Sequence, residues 1–600
     1  MAVSYPPRNK VEKRQTWNAE SVFKNHKAWE EEVKNISGDI EALNKFKGRL
    51  GESPEVLTEA MSAIEGLLVR AQRVYMYAAF ASAVDTTDQA ASGMQSQAAS
   101  MFGQVAAAVS FIRPELLSVG KSRLDEWMKQ DSKVRVYAHT FDDLFRKQDH
   151  VRSGEVEELL GMLADPFTGP GNTAGLITNA DFQFAHAVTS KGKKLVVTQS
   201  SVHEILDQAD RKARQSAWNN YMDRHVEFKN TLASNLALSI KNNVFGMRVR
   251  RHESSLAASL FEQNIPVDVF HNLIDTFKKH LPVWHRYFEI KRKALGLRDI
   301  TYYDMWAPLA RKHVKISYEQ AVDMISEGLA PMGRDYVDAL RKGCLEERWV
   351  DWAPNKGKQN GAFSYGTPGT YPFIMMSFTD DYSSVSTLAH ELGHSMHSYL
   401  TWKNQPLAYA EYSLFVAEVA SNFHQAMVRD HLLKTVKDDN FQITLIDEAM
   451  SNFFRYFFQM PTLARFELVT HQLVERGEAL TADGMMDLMA DLFAEGFGPK
   501  VKVDRPRVGM VWSTFGHLFS DYYVYQYATG ISGAHALSGR ILRGEHGAVD
   551  DYLGFLKTGG SMYPLDVLKK AGVDLTMPKP VEETFAVMES YIDRLEELVS

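Results

Sequence analysis

The chain has 600 residues, 45% hydrophobic and 24% charged, the balance of an ordinary globular protein that is too long for one core. A formal net charge of −8 argues against a nucleic-acid partner, which usually demands a basic face. The stretch from Met1 to Arg14 has no apolar signal-peptide core, and no run approaches the roughly 20 apolar residues of a membrane span. The single cysteine, Cys344, suits a reducing compartment, so the expectation is a cytoplasmic protein with no membrane partner.

Helical periodicity dominates the chain. Ser53 to Phe80, Ser216 to Arg248 and Val581 to Val599 carry apolar residues at three- and four-residue spacing with charges between. The apolar region Met101 to Ile112 reads as a helix packed closely inside the protein. Basic residues Arg248 to Arg251 read as solvated helix surface or structural pairing. Two places break the pattern. Asp165 to Gly175 (DPFTGPGNTAG) reads as a turn-rich loop, and Gly361 to Phe378 reads as two short extended runs around a Gly/Pro loop. The expected architecture is mainly α, with an N-terminal helical lobe over 1–200 and a catalytic region over 201–600.

The sequence STLAHELGHSMHSYL contains His390-Glu391-Leu392-Gly393-His394. Residues four apart share a helix face, so His390 and His394 can bind one metal ion from a single turn. Glu391 lies about 100° round the helix, where a carboxylate reaches a water on the metal without ligating it. Ser383 or Ser384 can cap this helix. His203-Glu204 and His252-Glu253 begin the same pattern, but Asp207 and Leu256 stand where the second histidine belongs. Zinc needs a third protein ligand. Glu418, in the apolar setting of FVAEVAS, is the next candidate, because an unpaired carboxylate there is costly. Glu411 is a weaker candidate for supporting a ligand imidazole, and His397 points roughly 60° off the His394 direction.

These motifs resemble the thimet oligopeptidase group of zinc peptidases, and within it oligoendopeptidase F. HELGHSMHSYL and FVAEVAS are similar to the family's metal-binding helices. HLFSDYYVYQYATG (His517 to Gly530) resembles its histidine- and tyrosine-rich substrate loop, and GGSMYPLDVLKKAGVDL its C-terminal signature. Fainter echoes lie in LITNADFQF and RKARQSAWNNYM. Many members follow the ligand glutamate with an Asn-Glu pair where this chain has His424-Gln425. The resemblance implies a large multi-helical, two-lobed peptidase with a deep central channel, one Zn2+ per chain and oligopeptide substrates. It implies that His517 and a nearby tyrosine donate to the reacting carbonyl. Tyr523 is favoured by position, with Tyr522 and Tyr527 as rivals that also face substrate.

The extended runs offer a place for substrate, with Gly361, Ala362 and Phe363 pairing through backbone bonds to an extended peptide. A small internal hairpin is the competing reading. The expected activity is hydrolysis of internal bonds in short unfolded peptides, with Glu391 as general base. The rivals are a peptidyl-dipeptidase, which needs a cation to hold a free C-terminal carboxylate, and a non-catalytic peptide-binding protein on the same scaffold. Oligomeric state is open.

Overall fold

The computed structural model describes residues 5–310 and 312–600, so the first four residues of the polar N-terminal stretch lie outside it. The chain is predominantly α-helical, as expected, with strands of two or three residues only. Among the described residues no helix is long and apolar enough to cross a membrane. Two compact units are present, each discontinuous in sequence. The first gathers Met1–Asp149, Val314–Leu432 and Leu537–Gly572; the second gathers His150–His313, Leu433–Ala536 and Val573–Ser600. This division follows packing, whereas one at residue 200 follows sequence order.

In the first unit, the helix Pro54–Val84 begins where Ser53 accepts a hydrogen bond from the Val56 amide, with proline at the first helical position. Its C-terminal end packs Phe80 against Trp17 (ring centroids 4.4 Å apart), and Trp17 meets Phe373 edge-on at 5.0 Å. This cluster joins the N-terminal helices to a three-stranded sheet. Its central strand, Phe373–Met375, pairs parallel with Val350–Asp351 and antiparallel with Phe363–Tyr365. The two extended runs expected between Gly361 and Phe378 are therefore strands, and Phe363–Tyr365 lies at the sheet edge. The helix Tyr382–Asn404 follows directly and packs along Ala548–Thr558, where the Thr401 hydroxyl donates to the Leu556 carbonyl at 2.9 Å.

Several local expectations are corrected. Asp165 to Gly175 is not a loop but part of the helix Gly154–Leu176, with Pro166 and Pro170 inside it. Packing against the helix Lys229–Arg250, with Pro170 and Ala174 buried, overrides the turn-forming composition, and the Asn235 amide donates to the Pro170 carbonyl. The periodic segment Ser216 to Arg248 is helical, as two helices, Arg211–Glu227 and Lys229–Arg250, that meet at Phe228. Met101 to Ile112 is not enclosed: Met101 and Val105 are buried, but Gly103, Gln104, Ala106 and Ala107 face solvent, because alanine and glycine offer little area to bury. Cys344 is buried, and burial pushes its thiol up to about 12.

The strand Val350–Asp351 carries a buried charge. Burial works against ionisation of Asp351, but Arg8 and Lys358 outweigh it and hold its carboxyl below the usual range. Arg8 donates Nη1 to Oδ1 at 2.8 Å, Lys358 Nζ reaches Oδ1 at 2.7 Å, and the Trp17 amide donates to Oδ2 at 3.2 Å. Removing one partner of a buried pair leaves the others uncompensated. Asp351→Asn is expected to lower unfolding free energy by about 3 kcal/mol at neutral pH, measured by denaturant melts. A depressed carboxyl adds stability only above its ordinary value, so the gap to wild type should close as pH falls below about 4.

Candidate active site

The helix Tyr382–Asn404 presents the HELGH segment. Its N-cap is Asp381, whose carboxylate accepts from the Ser384 amide at 2.8 Å; neither Ser383 nor Ser384 caps it. Asp381 caps because the helix starts at Tyr382, before either serine, and the Ser384 hydroxyl instead accepts the Thr379 amide at 3.0 Å. One turn separates His390 from His394, whose rings stand nearly perpendicular with centroids 4.9 Å apart. The neighbouring helix Leu414–Thr435 brings in Glu418. Ligand-type atoms of His390, His394 and Glu418 all lie within 4.8 Å of one another, and His390 Nε2 is 3.5 Å from Glu418 Oε2.

Close approach of the two helices depends on Gly393. A Cβ there would lie 2.5 Å from Ser421 Cα and closer still to the Ala420 carbonyl oxygen. Glycine's missing side chain therefore sets the spacing that lets Glu418 reach the histidines.

Each donor is held from behind. His390 Nδ1 pairs with Gln425 Oε1 at 3.1 Å, and Gln425 Nε2 donates to Ser386 Oγ at 2.9 Å. The His394 ring bonds to the Ala417 carbonyl, and Ser421 Oγ donates to Glu418 Oε2 at 3.1 Å. Burial lowers His394 to about 4, which keeps its imidazole neutral near pH 7. Burial opposes the charge on Glu418, yet His390, His394 and Ser421 hold its carboxyl below the ordinary value. Two imidazoles and one carboxylate at this spacing are a donor set that suits a divalent metal ion with one coordination position left over.

Glu391 is buried beside them, and burial raises its carboxyl to about 7. The Ser364 amide of the edge strand bonds to this carboxylate, while Oε2 is buried without a hydrogen-bond partner among the described residues. Ser364 Oγ also meets Ser395 Oγ at 2.8 Å, fastening the strand to the motif helix. Gly361 and Ala362 precede that strand; Phe363 opens it, its ring 5.5 Å from Phe80. His397 is buried and stacked on Tyr412 at 3.6 Å, apart from the three-donor group, and Glu411 is exposed.

In the second unit, His517, Tyr523 and Tyr527 form their own cluster. The His517 and Tyr523 rings are parallel at 5.7 Å, and the Tyr527 hydroxyl lies 3.3 Å from His517 Nε2 and 3.5 Å from the Tyr523 hydroxyl. Tyr522 does not join them, and the expectation that it faces substrate is corrected. It is 1% exposed, its amide donates to Glu467 Oε1 at 2.6 Å, and its hydroxyl meets Ser255 Oγ at 3.3 Å. Its φ is +49°, and its neighbour Tyr523 is half-buried. Gln425 and Ser364 were not among the sequence candidates. Gln425 follows Glu418 by seven residues, two turns on the same helix face, which was a usable signal; Ser364 had none.

The family profile "Peptidase family M3" matches residues 205–587, and "Oligopeptidase F" matches residues 115–184. The chain belongs to peptidase family M3. It is therefore a peptidase. Oligopeptidase PepF of Bacillus subtilis is 36% identical over 99% of this chain and 88% of its own length. Group B oligopeptidase PepB of Streptococcus agalactiae is 32% identical over 99% and 98%. The crystal structure of oligoendopeptidase-F from Enterococcus faecium superposes with a TM-score of 0.74 at 29% identity, covering 95% of this chain and 98% of that one.

Gly393→Ala is expected to cost about 1–3 kcal/mol in chemical unfolding, because the added methyl has no room between the helices. Gly246, which has open space around its position in a helix, provides the control. Ala there should be neutral or stabilising by about 0.5–1 kcal/mol.

Proposed function

We propose that this chain is a zinc endopeptidase that hydrolyses internal bonds of short unfolded oligopeptides in the cytoplasm, with the division at residue 200 separating a helical lobe from the catalytic region. One observation carries the reading: two imidazoles and a carboxylate converge within 4.8 Å beside a buried carboxylate oxygen that has no partner. His390, His394 and Glu418 would hold one Zn2+. When bound, zinc supplies Lewis-acid activation of water and polarisation of the scissile carbonyl.

The remaining roles belong to the protein. Glu391, lifted to about 7 by burial, accepts the proton of the attacking water and returns it to the leaving amine. Its bond from the Ser364 amide fixes one oxygen and leaves Oε2 for that proton. The edge strand containing Phe363 pairs through its backbone with an extended peptide, with Gly361 and Ala362 leading into it, which favours conformation over sequence. His517 and Tyr523 donate to the oxygen of the reacting carbonyl, and Tyr527 ties the two together through its hydroxyl. Family membership and the names of the oligopeptidase relatives support the substrate class.

Mass spectrometry of products from peptides of graded length, with and without a chelator, tests the reading directly. Chelator-sensitive internal cleavage that falls off with length is expected; cleavage indifferent to the chelator would sink it. Glu391→Gln should lose about 10²–10⁴-fold in kcat while zinc content by atomic absorption stays at one per chain. Gln425→Ala should leave the three donors in place but weaken zinc binding about 10–100-fold in competition with a chromogenic chelator, because His390 loses the partner that orients its ring.

A further inference from the structure

A cavity of about 310 Å³ lies within the second unit and contains His517 and Tyr527 in its lining. One wall is aromatic. Trp218 stacks on Tyr302 at 4.2 Å, and Trp306 meets Tyr302 edge-on at 5.2 Å. The Tyr302 hydroxyl accepts from Gln459 Nε2, which rigidifies this wall, and both residues are buried. The opposite chemistry comes from Arg455. It lies in the widened π-helical turn Phe454–Gln459, which also contributes Tyr456 and Gln459 to the lining. Such turns are frequent at functional sites.

Arg455 is exposed to the solvent that fills this space and makes no hydrogen bond or ion pair with any described residue. Among the described residues no aspartate or glutamate lines the cavity. Asp207, raised to about 6 mainly by burial, feels the guanidinium electrostatically but forms no ion pair with it. The same charge helps lower His203 and His517, after burial, so Arg455 is electrostatically close to both. An unpaired guanidinium beside an aromatic wall, in a space free of acids, is complementary to a carboxylate attached to an apolar group.

We propose that this cavity is a substrate subsite in which Arg455 takes a peptide carboxylate and the Trp218–Tyr302–Trp306 wall takes the apolar side chain next to it. The proposal rests on the reading that His517 faces the reacting carbonyl, which places the occupant within the same peptide. The carboxylate is either the α-carboxylate of a C-terminal residue or an acidic side chain. The volume suits one large residue.

Calorimetric titration of the full chain tests this without relying on turnover. Three probes are used: N-acetyl-Gly-Phe with a free carboxylate, its C-terminal amide, and N-acetyl-Glu-Phe-amide. Wild type should bind at least one carboxylate probe about tenfold or more tighter than N-acetyl-Gly-Phe-amide. Affinity for N-acetyl-Gly-Phe identifies the α-carboxylate, and affinity recovered by N-acetyl-Glu-Phe-amide identifies the side chain. Arg455→Gln should erase the preference and Arg455→Lys should restore part of it, with thermal melting showing both variants folded. Equal affinity for all three probes in wild type, or a preference that survives in Arg455→Gln, overturns the proposal. Chelator-sensitive cleavage is read separately, so failure of the subsite and failure of the peptidase mechanism remain distinct.

Discussion

Everything at the three-donor group depends on how near two helix backbones can come at Gly393. Helices carrying ordinary side chains pack with axes 8–10 Å apart, and an extra methyl at the crossing pushes them outward. Here the motif helix meets the Ala420–Ser421 backbone directly, so a short carboxylate one turn before that point reaches imidazoles on the facing helix. The residue between the two histidines is therefore as decisive for the site as the histidines themselves, though it offers no functional group.

That closeness also sets the electrostatics. Burial would by itself protonate both carboxylates and strip charge from the histidines. The two acids respond differently because of their neighbours. Glu418 sits against two imidazoles and the Ser421 hydroxyl and stays ionised, whereas Glu391 has one backbone amide, feels the Glu418 charge, and rises to about 7. Two carboxylates 27 residues apart in sequence thus differ in ionisation through environment alone.

Much of this was legible in the residues. The four-residue histidine spacing, the apolar surroundings of Glu418 and the extended runs after Gly361 each have a local physical cause, and the structure places them as the pattern implies. What failed was decided by distant contacts. DPFTGPGNTAG contains two prolines and three glycines, yet packing on the helix Lys229–Arg250 keeps it helical. Tyr522 and Tyr523 are chemically identical neighbours, and the one that turns inward is the one held by distant groups, its amide on Glu467 and its hydroxyl on Ser255. Ser364 reaches Glu391 across a strand pairing that no spacing rule encodes.

The discontinuity of the first unit has a temporal side. The motif helix ends at Asn404, but the helix it packs along, Ala548–Thr558, is translated more than a hundred residues later. At ribosomal rates that delay is on the order of ten seconds. During it the two histidines are attached to a chain whose flank is bare. The C-terminal segment therefore completes the packing of the motif helix last, and a translation product truncated before it would carry the HELGH sequence and its Glu418 partner on a helix with one flank uncovered.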